Sequence, residues 1–313
     1  MAQPTNTFDS YDAVGNREDL IDAIYDISPT ETPFMSMIAD RGTASAVLHE
    51  WQSDALAAAS SSNALIEGDD ASGASLNPTT RLNNRCQISG KTVVISGTQE
   101  TVNKAGRGSE VGYQVAKVAN ELKRDMETIL TGNQAPVTGN STTARALRSL
   151  ESWYATNVSR GAGGANGSTS AAATDGTQRD FTEDLLKDVV QKCWAAGGNP
   201  DVIMVGPKNK QKLSAFAGNS TRTKDADDKK LVAAIDIYES DFGALKVVPN
   251  RFSRERTAHV LESGMVEVSF LRDFFLKDLA VTGDSTKKQL LAEYTLQMNN
   301  EAAHGVIADL TTT

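Results

Sequence analysis

Residues 110–131, EVGYQVAKVANELKRDMETILT, place Val111, Val115, Val118, Leu122, Met126 and Ile129 at steps of 4, 3, 4, 4 and 3. That spacing draws one continuous apolar stripe along a helix. Lys117, Glu121, Lys123, Arg124 and Glu127 occupy the rest of the circumference. Ser109 stands where a cap belongs, and Gly132-Asn133 where the helix should stop. At ~1.5 Å per residue such a helix spans ~33 Å. A helix that long with a single stripe lies along the surface of a sheet.

Working outward toward the N-terminus, Gly106, Gly108 and Gly112 hinge the chain into this helix. Before them an extended run covers 81–98, and another covers 44–52. Between the two, residues 53–80 contain Asp54, Glu67, Asp69 and Asp70, no basic residue, and many Gly, Ser, Asn and Ala. Such a segment cannot bury enough apolar surface to pack alone. Two strands flanking it predict a protruding hairpin whose tip needs a partner to hold it. Pro33 opens a turn bearing Phe34, Met35 and Ile38. A short helix is expected before it, capped by Asn16, with Leu20, Ile21, Ile24 and Tyr25 on one face and Ser28-Pro29 as its end. Residues 1–15 are polar and aperiodic and read as an extended arm.

Toward the C-terminus, 132–180 is loop-rich, with Leu147, Leu150 and Trp153 at every third position. The Gly/Ala/Ser-rich stretch 159–176 reads as a boundary. A helix is expected over 181–196, with Asp180 and Glu183 in capping-box positions and Gly197-Gly198 as its stop. A buried strand follows at 201–205, and a helix at 207–216 opens on Pro207. A charged loop at 219–230 precedes strand-like runs at 231–238 and 244–248. The remainder is β-rich: 259–261, 266–271, 291–298 and 305–310. Tyr294, Leu296 and Met298 alternate with polar neighbours, as in a half-buried strand.

The chain has 313 residues, a mass of 33.4 kDa and a net charge of −9. That length suggests about two domains, and ~75% of the unfolded surface can be buried without disulfide or metal staples. The acidic balance argues against tight nonspecific wrapping of nucleic acid, which depends on phosphate neutralisation by Lys and Arg. Cys86 and Cys193 are the only cysteines, which excludes a disulfide framework and fits a reducing compartment. The start has no apolar core of a signal peptide, and no run reaches the ~18 apolar residues of a membrane span. The expected setting is the cytosol, or something assembled there, with no membrane partner.

No catalytic, cofactor or metal constellation emerges. Ser89-Gly90-Lys91-Thr92 resembles the end of a phosphate-binding loop, but Arg85 stands where its first glycine belongs and a strand follows where a helix is needed. Gly106, Gly108 and Gly112 miss the dinucleotide spacing by one residue. His49, His259 and His304 have no helical pairing, and neither cysteine has a close ligand partner. Asp225, Asp227 and Asp228 suggest a calcium loop, yet Lys230 replaces the required glycine. Ser285 and Lys288 match Ser-x-x-Lys without its companion motifs. Cys193 shares an apolar helix face with Val189 and Val190 and reads as core. The sequon Asn157-Val158-Ser159 carries no meaning without secretion. Arg145, Arg148 and Arg160, near Trp153, read as solvated surface ahead of a DNA or neighbour contact. The arm and the acidic hairpin remain as extensions of the kind completed by neighbouring copies.

Three N-terminal stretches carry a resemblance: Thr7-Phe8-Asp9-Ser10-Tyr11, Gly15-Asn16-Arg17-Glu18-Asp19-Leu20, and Ile27-Ser28-Pro29-Thr30-Glu31-Thr32-Pro33-Phe34. Further matches are Trp153 with Asn157-Val158-Ser159-Arg160-Gly161-Ala162-Gly163-Gly164, and the closing Gly283-Asp284, Glu293, Leu296 and Asn300-Glu301-Ala302-Ala303-His304. In this order, over essentially the whole chain, they resemble the tailed-bacteriophage major capsid proteins of the S-U-ten type, which have the Hong Kong 97 capsid fold.

The resemblance implies an α+β chain with an N-arm (1–40), an extended E-loop hairpin (41–105), a P-domain with its spine helix (106–180, helix 110–131), an A-domain (181–256) and a return to the P-domain (257–313). It implies a non-enzymatic subunit that assembles with itself into hexamers and pentamers, forming an icosahedral shell around double-stranded DNA without sequence-specific binding. The implied place is the virion capsid, built in the host cytoplasm. Portal protein, a separate scaffolding protein and a decoration protein are the further partners implied. The start directly at the arm, without a long preceding segment, implies a separate scaffolding protein or none, with Met1 taken as the natural start. Some shells of this fold weld subunits through a lysine of the E-loop. Here Lys91 and Lys104 are the only lysines before residue 117 and neither is at the tip, so no such cross-link is expected. An encapsulin-like compartment and a cytosolic α/β nucleotide-binding enzyme stand as alternatives.

Overall fold

The structure is a computed structural model that describes residues 31–38, 41–68, 70, 73, 76–104, 106, 108–216 and 236–312. The expected arm at 1–15, the helix capped by Asn16, the Asp225–Asp228 loop and the first part of the strand expected from Leu231 lie outside the described residues.

Pro33 opens helix α1, Pro33–Met37, and strand β1 follows at Arg41–Thr43. β2, Leu48–Ser53, and β3, Thr80–Arg85, pair antiparallel, with His49 opposite Asn84 and Trp51 opposite Leu82. The run expected as one strand over 81–98 breaks at Cys86, whose N–H donates to the Val47 carbonyl at 2.8 Å. The chain then enters a different sheet as β4, Gln87–Ser96. Helix α2, Gly97–Thr101, ends that strand earlier than expected, because Ser96 Oγ accepts from Gln99 N–H and caps a new turn. Helix α3, Glu110–Thr131, has the bounds the stripe predicts, and Ser109 caps it through Gly112 N–H at 3.1 Å. At its end Leu130 is fully buried and Ile129 only half-buried.

α4, Leu150–Trp153, and β5, Val158–Ser159, lie within the loop-rich stretch. α5, Glu183–Ala195, β6, Val202–Val205, and α6, Pro207–Ser214, follow. Thr182, not Asp180, occupies the cap position of α5 and makes no capping bond. Asp180 instead accepts from the Thr311 hydroxyl, and Glu183 from the Tyr238 hydroxyl. The last strands are β7, Ile237–Ser240; β8, Gly243–Pro249; β9, Thr257–Leu261; β10, Val266–Asp278; β11, Ser285–Met298; and β12, Gly305–Ala308.

Two sheets organise these elements. One has the order β1-β10-β11-β4, the other β5-β12-β9-β6-β8-β7. α3 packs along β4 and β11, and α5 packs on β12. Leu122, Met126 and Leu130 of α3 share a core with Leu290, Ala292, Tyr294, Leu296 and Met298 of β11. A second core joins Leu186, Val189, Val190 and Cys193 of α5 to Ile203, Val205, Val247, Val260 and Ile307. Residues after 257 therefore divide between the sheets: β10 and β11 build the first, β9 and β12 the second.

Glu127, on α3, binds three segments together. Its fully buried carboxylate accepts from Phe34 N–H at 2.6 Å, Met35 N–H at 3.0 Å and Asn250 Nδ2 at 2.7 Å. The first two are orphan donors at the start of α1, so a side chain 93 positions away caps that helix. Asn250 is fixed in turn by its N–H to the Val205 carbonyl at 2.8 Å. Burial pushes the Glu127 carboxyl above the usual range, while the three donated bonds oppose that shift. Replacing Glu127 by Ala leaves these donors without an acceptor and should lower stability by about 3 kcal/mol, against about 1–2 kcal/mol for Glu127→Gln, as read by urea unfolding of the free subunit.

Two histidines are buried and neutral. Tyr154 OH lies 3.1 Å from His259 Nδ1, and Thr257 Oγ1 lies 3.3 Å from Nε2. His304 Nδ1 accepts from Glu262 N–H at 3.2 Å, which leaves Nε2–H for the Met265 carbonyl at 3.3 Å. Burial lowers His259 to about 3, helped by Arg254 and Arg160, and lowers His304 to about 4. The unfolded chain takes up both protons near pH 6.5, so stability falls as pH drops below that value, by up to ~2.7 kcal/mol per pH unit for the pair. Glu127 and Glu151, both raised by burial, act in the opposite sense at the acid end. Urea midpoints measured from pH 7 to pH 5 should fall, and His304→Asn should remove about one proton's worth of that slope.

Candidate assembly surfaces

The β2–β3 hairpin is locked at its base. The Trp51 indole N–H donates to the Met298 carbonyl at 2.9 Å, and its ring lies 5.6 Å from that of Trp153. Asn84, buried, accepts from Arg148 N–H at 2.8 Å and donates to the carbonyls of Leu296 at 2.7 Å and Arg148 at 3.0 Å. His49 Nε2 meets Gln297 Oε1 at 2.5 Å. These contacts pin the strands to the end of β11.

Beyond Ser53 the support ends. Every described residue from Asp54 to Thr79 is exposed. Leu56, Leu65, Ile66 and Leu76 are 99%, 86%, 77% and 88% exposed. Each such side chain gains ~2 kcal/mol when removed from water, so the tip carries unused association energy.

Of the three arginines read as surface, the side chains of Arg148 and Arg160 are buried and that of Arg145 is half-buried. Arg148 is buried, its guanidinium 4.1 Å from the Trp153 ring centre and donating to the Ser152 carbonyl at 2.6 Å. Burial lowers it to about 10. Arg145 pairs with Glu293, which Arg272 also holds at 2.7 Å. Arg160 faces the buried Glu151 at 3.6 Å. Glu293 is 148 positions from Arg145, so spacing alone could not reveal that pairing, whereas Glu151 and Trp153 lie close by in the chain.

Glu151 also receives Arg254 at 2.7 Å; Arg254 and Arg256 share Asp175, and Arg256 reaches Asp309 at 2.8 Å. Asp309, at φ +62°, accepts from Gly161 N–H at 3.0 Å and Gly176 N–H at 2.7 Å. The two ends of the glycine-rich stretch 159–176 are thus drawn together on this carboxylate. A Cβ on Gly161 would stand 2.0 Å from the Thr177 carbonyl oxygen, and one on Gly167 2.4 Å from that of Ser152. Low complexity here records close backbone approach.

The motif fragments resolve into structural roles. Gly90 lies where a Cβ would meet Leu291 Cδ2 at 2.4 Å, and Lys91 pairs with Glu121 at 3.2 Å and Asp125 at 2.9 Å on α3. Ser285 and Lys288, three apart on β11, point to opposite sheet faces and cannot converge. Cys193 lies in the core, its thiol pushed up to about 12 by burial, and Cys86 is likewise raised to about 11. Asn157 donates inward to the carbonyls of Ala302 and His304. Among the described residues, no three His, Cys, Asp or Glu side chains cluster to hold a metal ion, and no helix is long and apolar enough to cross a membrane.

Comparison with known proteins accounts for this arrangement. A model of the SU10 major capsid protein family matches residues 3–311. A major capsid protein of Escherichia phage Phieco32 is 28% identical over 348 aligned residues, covering 98% of this chain and 97% of the relative. Among solved structures, the cyanophage A-1(L) capsid asymmetric unit superposes with a TM-score of 0.66 at 12% identity, over 95% of this chain and 98% of that one. Gordonia phage Cozz gives 0.64 at 9% identity, over 99% and 98%. At such identities these two establish the fold, that of Hong Kong 97-type capsids. With a hairpin fixed at its root and bare along its length, and a family match spanning nearly every residue, the chain belongs to the SU10 major capsid protein family and is a tailed-phage major capsid protein with the Hong Kong 97 fold.

Proposed function

We propose that copies of this chain associate as hexamers and pentamers into an icosahedral shell around double-stranded DNA, assembled in the host cytoplasm. The observation that carries this reading is the hairpin: anchored through Trp51 and Asn84, yet exposing Leu56, Leu65, Ile66 and Leu76. An element held rigidly at one end and uncovered at the other is completed by a neighbour. The domain ranges that go with it are an N-arm at 1–40, an E-loop at 41–105, a P-domain from 106 to 180, an A-domain at 181–256 and a return over 257–313. Portal, separate scaffolding and decoration proteins are its further partners. The role is structural, not enzymatic, and DNA is enclosed without sequence-specific contact, in keeping with a net charge of −9.

Welding through lysine is not part of this reading. The Lys91 ammonium is engaged by Glu121 and Asp125, and Lys104 Nζ donates to the carbonyls of Gln99 and Glu100 with its side chain 6% exposed. Sedimentation of the purified protein, with electron microscopy of the same fraction, should show closed particles of megadalton mass. Boiled in detergent, those particles should run as a single 33.4 kDa band. A uniform 33.4 kDa species that persists with scaffold or crowding salt would refute the shell.

A further inference from the structure

Two arginines meet at the root of the hairpin with no carboxylate between them. Arg85, the last residue of β3, is half-buried, and Arg148 is only 7% exposed. Both line a polar cleft of about 190 Å³, together with Asn83, Thr138, Thr169 and Ser170, and no acid is among its lining residues. Neither guanidinium forms an ion pair among the described residues. Arg148 donates to the Ser152 carbonyl from Nε at 3.2 Å and from Nη2 at 2.6 Å, and its Nη1 is left without an acceptor among the described residues.

The arginine is fixed in place before anything binds. Its N–H donates to Asn84 Oδ1 at 2.8 Å, and its carbonyl accepts from Asn84 Nδ2 at 3.0 Å and Trp153 Nε1 at 3.3 Å. The Trp153 ring backs the guanidinium at 4.1 Å. Gly167 brings the loop that carries Thr169 and Ser170 onto the Ser152 carbonyl, where a Cβ would stand 2.4 Å from the oxygen. The carbonyl that orients the guanidinium is thus also the one on which the hydroxyl-bearing loop rests. A guanidinium at this depth without a counter-charge is costly. Glu301, whose charge reaches Arg148, directs its oxygens to the N–H groups of Ala155 at 2.7 Å and Thr156 at 2.9 Å.

We propose that this cleft is an oxyanion site that holds one inorganic phosphate ion between Arg85 and Arg148, with Asn83, Thr138, Thr169 and Ser170 as further donors. Two guanidinium forks, an amide and three hydroxyls surround the space. So many donors suit a tetrahedral ion with acceptors on every side, whereas one arginine fork already satisfies a planar carboxylate. The cleft is smaller than the ~300–1,000 Å³ that takes a drug-sized ligand, so a nucleoside has no place in it. The bound ion joins β3 to the loops at 136–138 and 169–170 and stiffens the base from which the hairpin projects. This is a property of the single subunit and does not rest on the shell reading.

Thermal unfolding of the free, full-length subunit tests it. Sodium phosphate at about 10 mM should raise Tm by about 2 °C over sodium chloride of equal ionic strength. Titration calorimetry with phosphate should give one site per chain. Arg85→Gln, and separately Thr169→Val with Ser170→Ala, change side chains at the open side of the cleft and should leave Tm in chloride near that of the parent. Arg85→Gln should abolish the phosphate shift and weaken binding by about tenfold or more, and the hydroxyl pair should reduce both. Equal Tm in phosphate and chloride, or a phosphate shift that survives Arg85→Gln, would overturn the site. A short DNA duplex that binds the parent, is displaced by phosphate and fails to bind Arg85→Gln would overturn the free ion as occupant and give the cleft to a backbone phosphate.

Discussion

A single buried carboxylate sets the geometry of this subunit. Glu127 stands near the end of the long helix and receives donors from the segment before β1 and from the turn after β8. No cation accompanies it among those contacts, so its position rests on hydrogen bonds alone. Such a group is stabilising only when its acceptor sites are filled, and an unfilled donor at this depth is expensive. α1, α3 and the turn after β8 are thereby held together at one point, while Trp51 and Asn84 separately fix the root of the hairpin.

A second network, buried at Glu151, Arg160 and Asp309 and open at Asp175, performs a similar service further along the chain. Glu151, Asp175 and Asp309 gather Arg160, Arg254 and Arg256, so that loop 151–176, the approach to β9 and the C-terminal strand close on one another. Three acids and three bases balance within a small volume. Buried pairs of this kind contribute specificity more than stability, since desolvation consumes much of their attraction. The apolar binding capacity is found instead on the hairpin, where no such constraint applies. Rigid anchorage and an uncovered tip are what a subunit needs if its neighbours are to complete it.

Much of the fold was legible because it follows from periodicity. The stripe from Val111 to Ile129, with Ser109 and Gly132 as its ends, predicted α3, and the alternation of Tyr294, Leu296 and Met298 predicted a strand there, although Thr295 and Glu293 are buried too and β11 is covered on both faces at that point. The acidic, base-free stretch after Ser53 foretold an exposed hairpin tip. Other features were closed to sequence reasoning. Arg145, Arg148 and Arg160 looked solvated because their partners Glu293, Trp153 and Glu151 meet them only in the fold. The glycines of 159–176 looked like a linker because what excludes their side chains is backbone and Asp309 from the far end of the chain. Asp180 looked like a cap, but Thr311 and Lys212 draw it away from the helix start. Local pattern reports local structure, and the long-range pairings that override it leave no local trace.

The central claim is that the globule is complete in one chain and the hairpin only in an assembly. Hydrogen exchange, read peptide by peptide in the free subunit and in assembled particles, tests it most directly. Amides at 54–68 and 76–79 should exchange freely in the free subunit while those of α3 and β11 are protected. In particles the hairpin amides should slow by about a hundredfold or more, with α3 and β11 little changed. Hairpin exchange that is equally fast in both states, or already slow in the free subunit, would contradict the account.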